Sequence, residues 1–333
     1  MTYNPQLFEK NLKPIPKSCI ALKNVSRETR KEHPQYLGGL IKNHHETIKT
    51  IEHEKLLCYN AKTDAKKEVI LRSRGDRRKM SEIIAIANQK GGVGKTTTAI
   101  NLSACMASKG KKVLVIDVDP QGNTTSGFGL NKNELEHSVY ELMLGEDSAK
   151  QCLTSVKDID NLKLIPANVD LAGAEIDLVD ETNKNFILRD AVDYIKDDFD
   201  YIIIDCPPSL SMLTINALTT ADSVLIPIQC EYYALEGIAQ LENTINLIHD
   251  RLNNRLHIKG VVFTMYDGRT NLSNDVVDTV KQNLKAKVYE TIIPRNVRLA
   301  EAPSHGLPIN LYDPKSAGAE NYMKLADEVL EEK

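Results

Sequence analysis

The chain has 333 residues, with 42 Lys+Arg against 46 Asp+Glu and a formal charge of −4. Hydrophobic residues make up 41% and charged residues 26%, which suits one large α/β domain or two ordinary ones and excludes a mainly disordered chain, a collagen-like repeat and a disulfide-held miniprotein. No apolar run approaches the ~18 residues of a membrane span, the N-terminus has no apolar leader core, and Cys19, Cys58, Cys105, Cys152, Cys206 and Cys230 form no C-x-x-C pair, so reduced cytosolic thiols are expected.

The net charge hides a split: residues 1–79 carry +9 and residues 80–333 carry −13. The head is punctuated by Asn4-Pro5, Lys13-Pro14, Ile15-Pro16, His33-Pro34 and Gly38-Gly39, which break any long element before about residue 40. A helical spacing runs from Leu40 to Tyr59 through Ile41, Ile48, Ile51 and Leu56. Arg72 to Lys79 is almost all charge and reads as a solvated linker. The expected organisation is a poorly structured basic extension over 1–79 followed by a catalytic domain over 80–333.

From Ser81 the pattern changes. Short runs rich in Ile and Val stand at Ile83–Asn88, Val113–Asp117, Leu162–Ala167, Tyr201–Asp205, Val224–Ile228, Gly260–Thr264 and Val288–Ile293. Several are apolar on both faces, as a parallel strand must be when helices cover both sides of its sheet. Helix-length stretches lie between them, at Thr96–Ser108, Phe186–Lys196, Leu235–Leu252 and Ser273–Leu284. Alternation of this kind predicts an α/β fold with a doubly wound, mostly parallel sheet, and it puts function beyond the carboxyl ends of the strands.

Three motifs fall at those ends. After the first strand come Gln89, Lys90, Gly91, Gly92, Val93, Gly94, Lys95, Thr96 and Thr97, then a helix. Glycines let backbone N–H groups turn around an anion, and the helix N-terminus adds partial positive charge. Lys95 is placed to reach β and γ phosphates and the Thr96 hydroxyl to ligate Mg²⁺. The usual first glycine of a phosphate loop is replaced by Gln89, and Lys90 follows it. Were two such sites to face each other, each Lys90 could reach the other's phosphates, so hydrolysis is expected to need a dimer. The second strand ends in Asp117-Val118-Asp119-Pro120. Asp119 is assigned to the attacking water and Asp117 to the outer metal shell. The strand at 201–205 ends in Asp205-Cys206-Pro207-Pro208, four apolar residues and a carboxylate, which is a Walker-B pattern near the Mg²⁺ shell.

Together KGGVGKTT, DVDPQGN and DCPP resemble the deviant Walker-A P-loop ATPases. The wording of residues 83–129, with TMYDGRTNLS and IPRNVRLAEAPSHGLPI later, resembles the ParA/Soj partitioning group, from about Ser81 to the C-terminus. The resemblance implies an ATP- and Mg²⁺-dependent homodimer that binds double-stranded DNA without sequence preference, and a ParB-type centromere-binding partner that stimulates hydrolysis. It implies Lys90 as the signature lysine, Lys95 as the phosphate lysine, and Arg269 and Arg298 as DNA contacts. Lys281, Lys285 and Lys287 are nearby candidates. Pro294 and Asn296 are placed near the adenine by position. Such a protein would be cytoplasmic and nucleoid-associated, without a membrane partner. Because the body carries −13, DNA must meet a local basic patch.

Three other readings compete. A MinD-like membrane ATPase shares the ATP site but needs a basic amphipathic C-terminal helix; residues 319–333 are helical in pattern with a mostly acidic polar face, expected to pack back on the domain. A nitrogenase-iron-protein-like reductase needs a pair of cluster cysteines, for which Cys152 and Cys206 are poor candidates. A DNA-binding protein with a dead ATP site is at odds with intact Lys95, Thr96, Asp119 and Asp205. The head has two readings of its own: a basic extension that adds DNA affinity, or an upstream translation preceding a start at Met80.

Overall fold

The computed structural model describes residues 81–231, 234–284 and 286–332, without the side chains of 234–236. The expectations for residues 1–79, their boundary with the domain, and Lys285 lie outside the described residues.

Seven strands form one sheet: β1 (Glu82–Ile86), β2 (Val113–Asp117), β3 (Thr154–Ser155), β4 (Leu162–Ile165), β5 (Tyr201–Asp205), β6 (Ser223–Gln229) and β7 (His257–Thr264), in the order β3-β4-β2-β5-β1-β6-β7. All neighbours run parallel except the short edge pair β3–β4. The longer helices are α1 (Lys95–Ser108), α2 (Asn123–Gly127), α3 (Val139–Leu144), α4 (Ile187–Val192), α5 (Met212–Thr220), α6 (Ala234–Arg251), α7 (Asn271–Asn283), α8 (Val297–Glu301) and α9 (Ala317–Glu331).

Every residue of β2 and β5 is buried, because helices cover both sheet faces. Alternate side chains feed two cores. Leu114, Ile116, Ile202 and Ile204 join one, with Leu213, Leu241 and Ile245 from the helices on that side. Val113, Val115, Tyr201 and Ile203 join the other, with Leu102 and Met106 of α1 and Leu325 and Val329 of α9. The C-terminal helix thus spends its apolar face on α1, and the buried Thr98 and Tyr322 hydroxyls, 3.1 Å apart, join the two helices. Among the described residues no helix is long and apolar enough to cross a membrane.

Six of the seven strand expectations hold. The exception is Val288–Ile293, which forms no strand and pairs with β7 through one isolated bridge, Val288 to Val261. Its edges follow β7: Val261 N–H donates to Lys287 O, and Ile293 N–H to Phe263 O. Between them the N–H groups of Glu290 and Thr291 turn to the Glu328 carboxylate, at 2.9 and 2.8 Å. An α9 side chain therefore takes the donors an eighth strand would need. The helix expected over 186–196 stops at Val192, and one 3₁₀ turn, Lys196–Asp198, follows.

Candidate active site

The sheet reverses its winding around β1, so β1, β2 and β5 present their carboxyl ends to one crevice. Strand register pairs Ile86 with Asp205, and Asp117 with Asp205, placing two carboxylates side by side. The phosphate loop leaves β1 immediately above them.

In that loop Gly92 and Gly94 have φ of +74° and +89°, a region open to glycine at little cost. Gly94 caps α1 with no side-chain hydrogen bond, and the first turn of α1 holds no acidic residue. The first N–H groups of a 14-residue helix are thus left to an external anion. Lys95 is 7% exposed and its Nζ donates to Lys90 O at 3.1 Å, arched back over the loop. Burial lowers its pKa, while the charges of Asp205, Cys206 and Asp119 oppose that. An incoming polyphosphate would supply the compensating charge.

Thr96 Oγ1 donates to Asp205 Oδ2 at 2.8 Å, and Thr124 Oγ1 donates to the same oxygen at 2.7 Å. The other oxygen, Oδ1, is buried without a hydrogen-bond partner. Desolvation first, and then the charge of Asp117, raise the Asp205 pKa. Asp117 is raised too, again chiefly by desolvation. Its Oδ2 accepts the N–H and hydroxyl of Thr125, at 2.9 and 2.7 Å, and its Oδ1 accepts Asp119 N–H at 3.3 Å. A buried carboxylate beside a second one, with an orphaned oxygen next to a threonine hydroxyl, is a favourable place for a cation. Among the described residues no group of three or more His, Cys, Asp or Glu could hold a metal. Mg²⁺ is commonly held by one or two protein oxygens, waters and substrate phosphates, and Thr96 and Asp205 present such oxygens here.

Asp119 is 9% exposed at the crevice wall, and its Oδ1 accepts Gln121 N–H at 2.9 Å, closing the turn that leads into α2. Lys90 is half-exposed and its Nζ pairs with Glu231, just beyond β6. Glu231 was not singled out in the sequence; 141 residues separate the partners, and no local pattern announces the pair. Thr124 and Thr125 were also passed over, although they directly follow DPQGN. So was Thr264, whose hydroxyl donates to Val93 O at 2.7 Å and ties the end of β7 to the phosphate loop.

The expected DNA arginines stand at the same end of the sheet. Tyr266 bridges Pro294, and Arg295 N–H donates to Tyr266 O, so the loops bearing Arg269 and Arg298 run side by side. Arg269 is 87% exposed at its side chain and forks onto Asp267, with Nε and Nη2 at 2.8 and 2.6 Å. That fork holds the Asp267 carboxyl down at about 2. Arg298 pairs with Glu301 at 2.8 Å and Asp313 at 3.4 Å. Exposed Arg295 joins this edge, a basic residue the sequence reading omitted. Lys281 is exposed, whereas Lys287 is drawn to Glu332. Pro294 lies beside this edge, and Asn296 Oδ1 accepts Arg298 N–H at 2.8 Å as the cap of α8. Cys152 and Cys206 are both fully buried and contact backbone carbonyls rather than each other.

The AAA domain family matches residues 81–258. The chain is 56% identical over 250 residues to the sporulation initiation inhibitor protein Soj of Bacillus subtilis, covering 75% of this chain and 98% of that one. It is 50% identical over 251 residues to the chromosome partitioning protein ParA of Myxococcus xanthus, covering 75% and 88%. Among solved structures, cobyrinic acid a,c-diamide synthase from Mycobacterium smegmatis, with bound ADP and magnesium, superposes with a TM-score of 0.67 at 38% identity, covering 75% of this chain and 94% of that one.

Proposed function

Because the chain belongs to the ParA/Soj family of chromosome-partitioning ATPases, we propose that it is an ATP-driven DNA-binding switch for segregation of replicated DNA. The observation that carries the ATPase reading is the Thr96–Asp205 pair at an uncapped phosphate-loop helix, with Asp205 Oδ1 left without a partner. Backbone N–H groups of residues 91–96 and the Lys95 ammonium receive the β and γ phosphates. Thr96 and Asp205 would hold magnesium, and Asp117 fixes the neighbouring loop through Thr125. The ion, when bound, would supply positive charge to offset charge building on the phosphate oxygens. Asp119 orients the attacking water from the far side of the γ phosphate.

Lys90 completes the site from the partner subunit. Its pairing with Glu231 is half-exposed and worth at most about 1 kcal/mol, so a triphosphate across a dimer interface can compete for it. Dimerisation doubles the edge formed by Arg269, Arg295 and Arg298 and makes a local cationic surface on an otherwise acidic body. DNA binding is then non-specific, salt-sensitive and dependent on ATP. A ParB-type partner that speeds hydrolysis returns the protein to the monomer. MinD-like ATP cycling at a membrane is disfavoured by α9, whose apolar face is buried on α1.

The test is sedimentation of the full chain with no nucleotide, with Mg²⁺-ADP and with Mg²⁺-ATP. A dimer with ATP alone, persistent in Asp119→Ala and absent in Lys95→Ala, is the expected result. A monomer under all three conditions would remove the ATP-dependent dimer reading.

A further inference from the structure

Between Ala167 and Asn183 the chain forms an excursion from β4 to α4 that the nucleotide site does not use. A 3₁₀ segment, Val169–Gly173, runs directly into one α-helical turn, Ala174–Asp177, and then a further turn. Its inward face is short and regular: Leu171, Ala174 and Leu178 are buried in the core beside α3. Its outward face is unusual. Val169, Ile176 and Val179 are 71%, 76% and 55% exposed, three of the nine large hydrophobics exposed among the described residues, within eleven positions. With exposed Ala172 they fall at spacings of three, four and three, an apolar stripe that runs over the 3₁₀ segment, the α-helical turn and the turn after it. Exposed Glu175 adjoins Ile176 in that stripe, and exposed Asp180 adjoins Val179. From Val169 to Glu181 there are five carboxylates and no Lys, Arg or His.

We propose that this stripe is a docking surface for a partner protein that presents a basic amphipathic helix. Apolar residues at three-four spacing are the footprint of helix-on-helix packing, and the carboxylates on both sides select basic residues beside the partner's apolar seam. A second copy of the same stripe is a poor occupant, because two faces with five carboxylates each and no base would repel. The surface is tied to the active site at its root. Ala167 N–H donates to Thr125 Oγ1 at 2.9 Å, and that hydroxyl donates to Asp117. A Cβ at Gly122, in the Asp119 loop, would stand 2.7 Å from Ala167 O, so the two backbones are in direct contact. The proposal adds a surface to the ATPase and holds whether or not DNA is the cargo.

The test uses the full chain and a fluorescein-labelled synthetic helix of three heptads, with leucines along one seam and Lys and Arg flanking it, followed by anisotropy. A second peptide carries Glu at the flanking positions. The basic peptide is expected to bind and the acidic one not. Ile176→Asp with Val179→Asp should weaken binding roughly tenfold or more, the scale of losing two apolar anchors. That variant is more acidic, so attraction by charge alone would leave binding unchanged or tighter, and that result overturns the proposal. Ile176→Ser with Val179→Ser serves as the charge-neutral companion and should show the same loss. Glu175→Gln with Asp180→Asn should weaken binding severalfold and flatten its salt dependence. Nucleotide-free self-association of the wild type, abolished by the same apolar substitutions, would also overturn it, in favour of a second copy.

Discussion

Asp205→Asn should stabilise the nucleotide-free protein while destroying its response to magnesium nucleotide. Asp205 and Asp117 are register neighbours at 0% exposure; burial raises both carboxyl pKa values above the ordinary value near 4, and the charge of Asp117 adds to the rise at Asp205. The fold therefore holds protons that the unfolded chain releases, and stability falls as pH rises from that value. The loss levels off once both groups have ionised. Each tenfold weakening of acidity corresponds to about 1.4 kcal/mol. Asparagine keeps one acceptor oxygen for the Thr96 and Thr124 hydroxyls, puts an amide NH2 where the partnerless Oδ1 stood, and removes the charge. A gain of about 1–3 kcal/mol is expected at pH 8, or roughly 3–10 °C in melting temperature for a domain of this size. The gain should shrink toward pH 5. Thermal unfolding by circular dichroism at both pH values, with and without Mg²⁺-ATP, measures it. With Mg²⁺-ATP the order should reverse, because only the wild type gains a cation at Asp205. A lower melting temperature for Asp205→Asn at pH 8 without nucleotide would refute the electrostatic reasoning.

Four further outcomes follow from named contacts. Lys95→Ala should weaken Mg²⁺-ATP binding by roughly tenfold or more, the worth of a charge-assisted hydrogen bond, measured by calorimetry. Thr264→Val removes the 2.7 Å bond to Val93 O and should leave ATP binding nearly intact, while lowering the ratio of DNA affinity with ATP to that with ADP by about fivefold. Asp267→Asn frees the Arg269 fork, so DNA binding should tighten severalfold and its salt dependence steepen. Gly306→Ala would bring a Cβ to 2.5 Å from Gly129 Cα at a φ of +64°, and should cost about 2 kcal/mol or more in urea unfolding.

The chemistry of this chain was legible where it is local. β2 and β5 are apolar runs closed by a carboxylate, and their bounds, Val113–Asp117 and Tyr201–Asp205, match the expectation residue for residue. β7 begins three residues before its expected start, because His257 is exposed, Ile258 and Lys259 are only partly buried, and the three do not read as an apolar run. Val288–Ile293 reads as a strand by composition, yet its donors go to Glu328, on a helix whose arrival no local pattern records. The same limit hid Glu231 from Lys90 and Thr264 from Val93, contacts made across more than a hundred residues. Asp117 also accepts Asp119 N–H within one turn and the Thr125 hydroxyl, contacts that the D-x-D-P pattern alone does not record.

The most direct measurement of the central claim is DNA binding by the full chain with no nucleotide, ADP or ATP, at two salt concentrations, beside Asp119→Ala and Arg269→Glu. The account expects salt-sensitive binding with ATP alone, kept by Asp119→Ala and lost by Arg269→Glu. Binding that is indifferent to nucleotide, or an ATP-dependent dimer that ignores DNA, would contradict it.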